Sequence, residues 1–292
     1  MSLTPINLRE RSEAEAASFP PLLAQAKHLA STVLLGDHGR RRAGLGDDFW
    51  QYRPMQSGDT HRMIDWRRSA KSDVQFVREK EWKVAQNVLL WVDQARSMRF
   101  ASSPDWPQKN DRARVLALAV SILLIRAGER VGISGGALVP RRGEPQILRL
   151  ADLLTQNATE EYAAPESSGL PPHSRAIFIS DFLTESTEIA DAITRASDCG
   201  VRGALLQVLD PSEESFPFQG RTIFQSVGGG FKHETLKAGD LRNRYLERLA
   251  ERKAELTALC TATGWQFSCH HTNDSASLAL LWLFRALERG TA

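Results

Sequence analysis

Short apolar runs alternate with longer stretches of helical period along most of this chain. The runs Val88 to Asp93, Arg130 to Ser134, Ala176 to Asp181, Ala204 to Asp210 and Gln266 to His270 predict strands. Between and after them, Asp111 to Ala127, Ile189 to Cys199, Asp240 to Thr263 and Ala276 to Glu288 predict helices. Strands joined by crossover helices of this length build a mostly parallel sheet, so the expected class is α/β. The first of these helices is apolar nearly all round, which predicts burial against the sheet. Two further elements follow from local pattern. After Pro20 and Pro21, Leu22, Leu23, Ala26, Leu29, Ala30, Val33 and Leu34 fall on one helical face, and Gly36 supplies a stop. The glycines Gly228 to Gly230 predict a hairpin joining Thr222–Val227 to Phe231–Glu234.

One stretch breaks the alternation. From Asp37 to Ser72, glycine, arginine and aspartate dominate, with Phe49, Trp50, Tyr52 and Trp66 scattered at no clean period, which predicts loop or irregular structure. The chain therefore divides into an N-terminal helical segment (1–36), a charged segment (37–86) and an α/β domain (87–292). Between Arg40 and Lys80 stand eight arginines and two lysines against five aspartates and one glutamate, so 10 minus 6 leaves +4. A nucleic-acid arm is more one-sided than that. Asp59, Arg62, Asp65, Arg67 and Arg68 alternate in sign and suit an internal ion-pair network. The competing reading is a partner surface, with Tyr52 and Trp66 as aromatic anchors and Arg53, Arg62 and Arg67 as polar specificity, beside Asp59 and Asp65.

Composition narrows the class without naming a chemistry. The 292 residues are 42% hydrophobic and 25% charged with a net charge of +2, the profile of a globular chain rather than a disordered or disulfide-stapled one. Cys199, Cys260 and Cys269 are odd in number and widely spaced, with no CxxC, so reduced thiols and a cytoplasmic location are expected. Arg9, Glu10, Arg11, Glu13 and Glu15 leave no room for a signal-peptide core. The longest apolar run, Val115 to Ile125, has eleven residues, short of the roughly 18 to 20 that a membrane span needs.

Three of the predicted strands end on an acid: Asp93, Asp181 and Asp210. In a parallel sheet the carboxyl ends of all strands share one edge, and that edge is where open α/β sheets bind ligands. Asp93 and Asp181 are accordingly expected to share a site. Asp210 precedes Pro211 and Ser212, which suits a turn or a helix cap instead. Other motifs carry less. His270 and His271 are adjacent on a strand and face opposite sides, so they do not bind one metal together. Gly228 to Gly230 lacks the GxxxxGK[ST] of a phosphate loop. Ser134 lies in GISGG, but no helix is expected after it, unlike the nucleophile elbow of a serine hydrolase.

Four segments in order, RRAGLGDDFWQYRPMQSGDTHRMIDWRRSAKSDVQFVREKE, VLLWVDQARSM, FISDF and QVLDPSE, resemble the bacterial domain of unknown function 58 family. The resemblance runs from about Arg40 to the end. It implies a von Willebrand factor A-like, Rossmann-like domain of a kind found beside MoxR-type AAA+ ATPases. It also implies a divalent cation, Mg2+, at a metal-ion-dependent adhesion site of the form Asp-x-Ser-x-Ser plus a threonine from a second loop, which has no assigned match here, and an aspartate from a third. The matching positions are Asp93, Ser97 and Asp181, while Ala95 stands where a hydroxyl ligand is expected and Arg96 brings a cation into the motif. Arg96 is thus an alternative partner for the acids. The functional expectation is a non-enzymatic adaptor or cofactor of a MoxR-type ATPase in protein assembly or remodelling. A metal-dependent, phosphatase-like hydrolase using Asp93 and Asp181 is the first alternative, and a nucleic-acid binder through the arginine-rich box is the second.

Overall fold

A computed structural model of the chain describes residues 21–33, 40–44, 48–226 and 232–289. The expected stop at Gly36, the hairpin tip at Gly228–Gly230 and the acidic and basic residues before Pro20 lie outside the described residues. Two compact units are present, one formed by Met1–Gly36 with Asn87–Ala292 and the other by Asp37–Gln86.

The larger unit is built on a six-stranded sheet. In chain order its strands are β4 (Asn87–Val92), β5 (Arg130–Ile133), β6 (Leu138–Arg141), β7 (Arg175–Ser180), β8 (Arg202–Leu209) and β11 (Gln266–His271). They lie in the order β11-β8-β7-β4-β5-β6, all parallel except β6, which runs antiparallel to β5. β9 (Thr222–Gln225) and β10 (Lys232–Thr235) form a separate antiparallel pair, the two arms of the expected hairpin.

Alternation along the strands sorts the side chains into two cores. Val88, Leu90 and Val92 of β4, Ile177 and Ile179 of β7 and Leu206 and Val208 of β8 pack on one face. That face is covered by α1 (Pro21–Ser31), α3 (Lys109–Arg126), α4 (Glu144–Thr155) and α8 (Ala276–Arg289). Ala176 and Phe178 of β7 and Leu205 of β8 point to the other face, covered by α5 (Ser186–Asp198) and α7 (Gly239–Thr263). α3 is the central helix. Its residues Leu116 to Leu124 are all buried, because the sheet lies on one side and α1, α4 and α8 on the others. No described helix is long and apolar enough to cross a membrane. The sequence pattern misses β6 and α4. β6 is four residues long, and α4 is amphipathic but follows a glycine in a polar stretch.

Part of the segment expected to be irregular, Asp37 to Ser72, instead supplies two strands of a three-stranded antiparallel sheet in the smaller unit, whose third strand follows it. β1 (Arg40–Gly44), β2 (Asp48–Pro54) and β3 (Phe76–Val84) pair in the order β1-β3-β2. The charged residues hid the strands, because antiparallel pairing is decided by register with a distant partner and leaves polar side chains free to face water. A bulge between Phe49 and Gln51 further disturbs the two-residue period of β2. A short helix, α2 (Trp66–Ser69), lies between β2 and β3 in the chain.

Gly203 shows how tightly the parallel sheet is joined. It pairs with Ala176 across β7 and β8, and a Cβ at Gly203 would stand 1.9 Å from the Ala176 carbonyl oxygen. Neither backbone can retreat without breaking the ladder. Gly203→Ala is expected to destabilise the protein by about 3 kcal/mol in chemical denaturation; a loss below about 1 kcal/mol would mean that this approach relaxes freely.

Candidate functional site

β4, β7 and β8 are parallel neighbours in the sheet, and Asp93, Asp181 and Asp210 follow their last residues along one edge. All three carboxylates are buried. Asp210 is the N-cap of α6 (Pro211–Ser215), as its neighbours Pro211 and Ser212 suggest. Its Oδ1 accepts from the Ser212 N–H at 2.8 Å and hydroxyl at 2.7 Å, and its Oδ2 accepts from the Ser102 N–H at 2.9 Å. Glu213 completes the capping box by accepting from the Asp210 N–H at 2.8 Å.

Asp93 and Asp181 lie close enough for their charges to interact, and the cation beside them is Lys109. Its Nζ donates to Asp181 Oδ2 at 2.9 Å and to Glu213 Oε1 at 2.7 Å, and the side chain is only 1% exposed. Burial pulls the ammonium's pKa down, but the two carboxylates more than reverse this and hold it above the ordinary lysine range. Sequence reasoning missed Lys109, although a signal existed. It opens α3, where the helix dipole disfavours a cation, so a buried lysine there requires acids from elsewhere in the fold.

Asp93 is held differently. Its Oδ2 accepts from the Ser180 hydroxyl at 2.6 Å and its Oδ1 from the Ala95 N–H at 2.8 Å. Burial raises the carboxyl strongly, the Ser180 hydrogen bond opposes this, and the nearby Asp181 charge adds to the rise, leaving a pKa of about 6. Asp181 Oδ1 takes the Leu183 N–H at 3.1 Å, and its carbonyl takes Gln207 Nε2 at 2.8 Å. Ala95 is fully buried, and Arg96 opens a short 3-10 turn (Arg96–Met98) whose backbone bonds to Glu160. The Ser97 hydroxyl is buried without a hydrogen-bond partner.

A cavity of about 1090 Å³ opens over this edge, with Ser97, Lys109, Asp181 and Glu213 among its lining. Its floor is aromatic. Phe216 contacts the rings of Tyr245, Phe218 and Phe224 at centroid distances of 4.9, 5.2 and 5.7 Å. Arg244 and Arg248, four residues apart on α7, are exposed on its wall. Phe216 and Phe182 both adopt the left-handed conformation, at φ 43° and 50°, which is costly for a bulky residue and is held here by burial.

Elsewhere in the larger unit the candidates carry less. Ser134 is buried and its hydroxyl has no partner, so no base activates it. His270 is buried and its pKa is pushed down to about 4, chiefly by burial and then by Arg112. His271 faces the other way, toward Glu214 at 3.1 Å and Asp274 at 3.5 Å. Glu214, Cys269 and His271 bring one ligand atom each to within 4.8 Å, but the Lys253 ammonium already sits on Glu214. The three cysteines are all free.

In the smaller unit the charged box divides by role. Arg53 grips Asp59 through two hydrogen bonds, at 2.6 and 2.7 Å, and Asp59 also takes the Gln56 N–H at 2.8 Å. These contacts hold its carboxyl down at about 2. The Tyr52 hydroxyl donates to Asp65 Oδ2 at 3.1 Å, and Asp65 Oδ1 caps α2 through the Arg68 N–H at 3.0 Å. Arg68 lies over the Tyr52 ring at 4.4 Å. Tyr52, Arg53, Asp59 and Asp65 are thus internal fasteners. Trp66, 57% exposed and stacked on His61, and the exposed Arg62 and Arg67 face solvent.

A family model described as "Protein of unknown function DUF58" matches residues 51–255. The chain belongs to this family. Among relatives of this DUF58 protein, two uncharacterized proteins, of Mycobacterium bovis and Mycobacterium tuberculosis, are each 26% identical over 264 residues, spanning 85% of this chain and 82% of theirs. Among solved structures, an aerotolerance-related membrane protein from Bacteroides fragilis gives a TM-score of 0.39 at 14% identity, covering 70% of this chain and all of that one. The conserved hypothetical protein BatB from Bacteroides thetaiotaomicron gives 0.36 at 14% identity, covering 70% of this chain and 98% of that one. Likenesses at these scores carry no argument about function.

The edge of this DUF58 protein is a poor host for the divalent ion that the sequence resemblance implies. Both oxygens of Asp93 and both of Asp181 already accept hydrogen bonds, and the positive charge is supplied from within. Magnesium needs about six oxygen ligands in a near-octahedral array. Among the described residues that line the cavity, the Ser97 hydroxyl and the Glu161 Oε1 are buried without a hydrogen-bond partner, too few to complete such an array while Lys109 holds Asp181.

Two outcomes follow for stability. Lys109→Ala leaves the buried Asp181 and the part-buried Glu213 without their cation and is expected to cost about 3 kcal/mol in metal-free buffer, read by denaturant melts. For Asp93, the folded pKa of about 6 lies above the ordinary aspartate value of 3.8, so ionisation opposes folding. The penalty is absent below about pH 4, grows through about pH 6, and reaches about 3 kcal/mol above that. Asp93→Asn should therefore gain on the wild type by up to that amount between pH 4 and 7. A pH-independent difference would sink the assignment.

Proposed function

We propose that this protein is a non-enzymatic docking module, a von Willebrand factor A-like adaptor that works with a MoxR-type AAA+ ATPase in the assembly or remodelling of other proteins. The observation that carries the reading is the state of the sheet edge. Its acids are satisfied by Lys109, by hydroxyls and by backbone N–H groups, while the cavity above them is wide, aromatic and open. A hydrolase needs a poised nucleophile or base near an electrophile-binding group. Here Asp93, whose carboxyl burial raises to about 6, is buried and committed to Ser180 and Ala95. A partner surface needs desolvatable aromatic anchors and cationic groups that recognise carboxylates. The cavity supplies Phe224 and Tyr245 with Arg244 and Arg248. The charged box supplies Trp66 with Arg62 and Arg67.

The ATPase is the expected partner because the family resemblance points to that company, and the cytoplasm is the compartment where the two would meet. The interleaved acids of the box, two of them locked to Arg53 and Tyr52, disfavour nucleic acid.

The purified protein and a MoxR-type ATPase encoded beside it should form a complex in size-exclusion chromatography, with or without one of ATP and ADP. Arg244→Glu/Arg248→Glu, or Trp66→Ala, should weaken the complex at least ten-fold while leaving the melting temperature within about 2 °C, since exposed residues contribute little to stability. No association in any nucleotide state, or variants that bind like the wild type, would retire the reading.

A further inference from the structure

Three buried carboxylates at one sheet edge call for positive charge, and the usual source is a bound divalent cation. Here the charge is covalently part of the chain. Lys109 Nζ lies 2.9 Å from Asp181 and 2.7 Å from Glu213, in the position from which a cation would bridge them. The group is fixed from several directions. The Lys109 backbone N–H bonds to the Phe100 carbonyl, and its ammonium lies 6.0 Å from the Phe100 ring. Glu213 is locked by the capping box of α6, and Asp181 by the Leu183 N–H. Each carboxylate therefore has an anchor besides the lysine.

We infer that Lys109 is a built-in cation that takes the place of a divalent ion at this edge, and that the wild-type protein binds its ligands there without metal. Two like charges would compete for the same two oxygens, and the tethered one has no concentration to be diluted. The converse also follows. Removal of the ammonium leaves the Asp181 and Glu213 carboxylates facing a space that opens on the cavity, with the unpartnered Ser97 hydroxyl lining the same cavity and water able to complete the shell. A latent divalent-cation site thus lies one substitution away. The inference rests on this geometry and is independent of the ATPase reading, because it concerns an ion and not a protein partner.

Binding of Mn2+ decides it, followed by electron paramagnetic resonance of the free ion and by the melting temperature in 0 to 5 mM MnCl2 or MgCl2. Wild-type protein is expected to bind no Mn2+ below millimolar concentration and to melt at the same temperature in EDTA. Lys109→Ala should melt lower in EDTA, bind one Mn2+ at least ten-fold more tightly than the wild type, and recover much of its lost melting temperature when the ion is added. Lys109→Gln, whose amide keeps donors for the carboxylates and adds an oxygen ligand, should behave alike and serves if the alanine variant does not fold. Adding Asp181→Asn to either variant should abolish the ion's effect. The inference is overturned if wild-type protein binds Mn2+ in a manner lost on Asp181→Asn, since ion and lysine would then coexist. It is equally overturned if the folded Lys109 variants bind no Mn2+. Metal-free wild-type protein that still associates with its ATPase would agree with both readings. Failure to associate, with the Mn2+ results as expected, would remove only the docking partner.

Discussion

The contact on which the site depends is the triad of the buried Lys109 and Asp181 with the part-buried Glu213. It joins three elements distant in the chain: the first turn of α3, the end of β7 and the short helix α6 after β8. Desolvating an ammonium is costly, and only two close carboxylates make it tolerable. The triad therefore works as a geometric lock. α3 enters the core at the height where its lysine meets both acids, and the apolar residues from Leu116 to Leu124 then lie against the sheet.

Around this lock the edge is an extended polar network. Asp210 accepts from the Ser102 backbone and holds Glu213 through the capping box, so the loop before α3 and the helix after β8 are fastened together. Ser180 bridges Asp93 and the Phe182 N–H, and Arg252 of α7 donates to the Phe182 carbonyl at 2.9 Å. The strained backbone of Phe182 is thereby clamped from both sides. The acids of this edge are thus held in place by the chain's own donors.

The two units show two ways of using charge. In the box, Arg53 with Asp59 and Tyr52 with Asp65 stabilise turns near solvent, where screening keeps each contact weak and several are needed together. At the sheet edge one ammonium suffices, because burial strengthens every interaction it makes. The same chemistry thus serves as multiple fasteners on a surface and as a single keystone in a core.

The parallel strands, the buried helix α3 and the acids at the strand ends were legible in the sequence because each is written in local period or position. Val88 to Asp93 shows its apolar run and its terminal carboxylate side by side. The capping role of Asp210 was equally local, written in Pro211 and Ser212. Three things were not legible. The strands β1, β2 and β3 depend on pairing across tens of residues, and their charges imitate a loop. The sorting of the box into inward Tyr52, Arg53, Asp59 and Asp65 and outward Arg62, Trp66 and Arg67 depends on which face the fold covers. Lys109 lies 72 residues from Asp181 and 104 from Glu213, so no spacing rule connects them. The sequence by itself determined that acids would gather at one edge, since strand direction fixes where strand ends go. Which cation would answer them was decided only by tertiary packing, because the crossing of α3 over the sheet alone sets what reaches that edge.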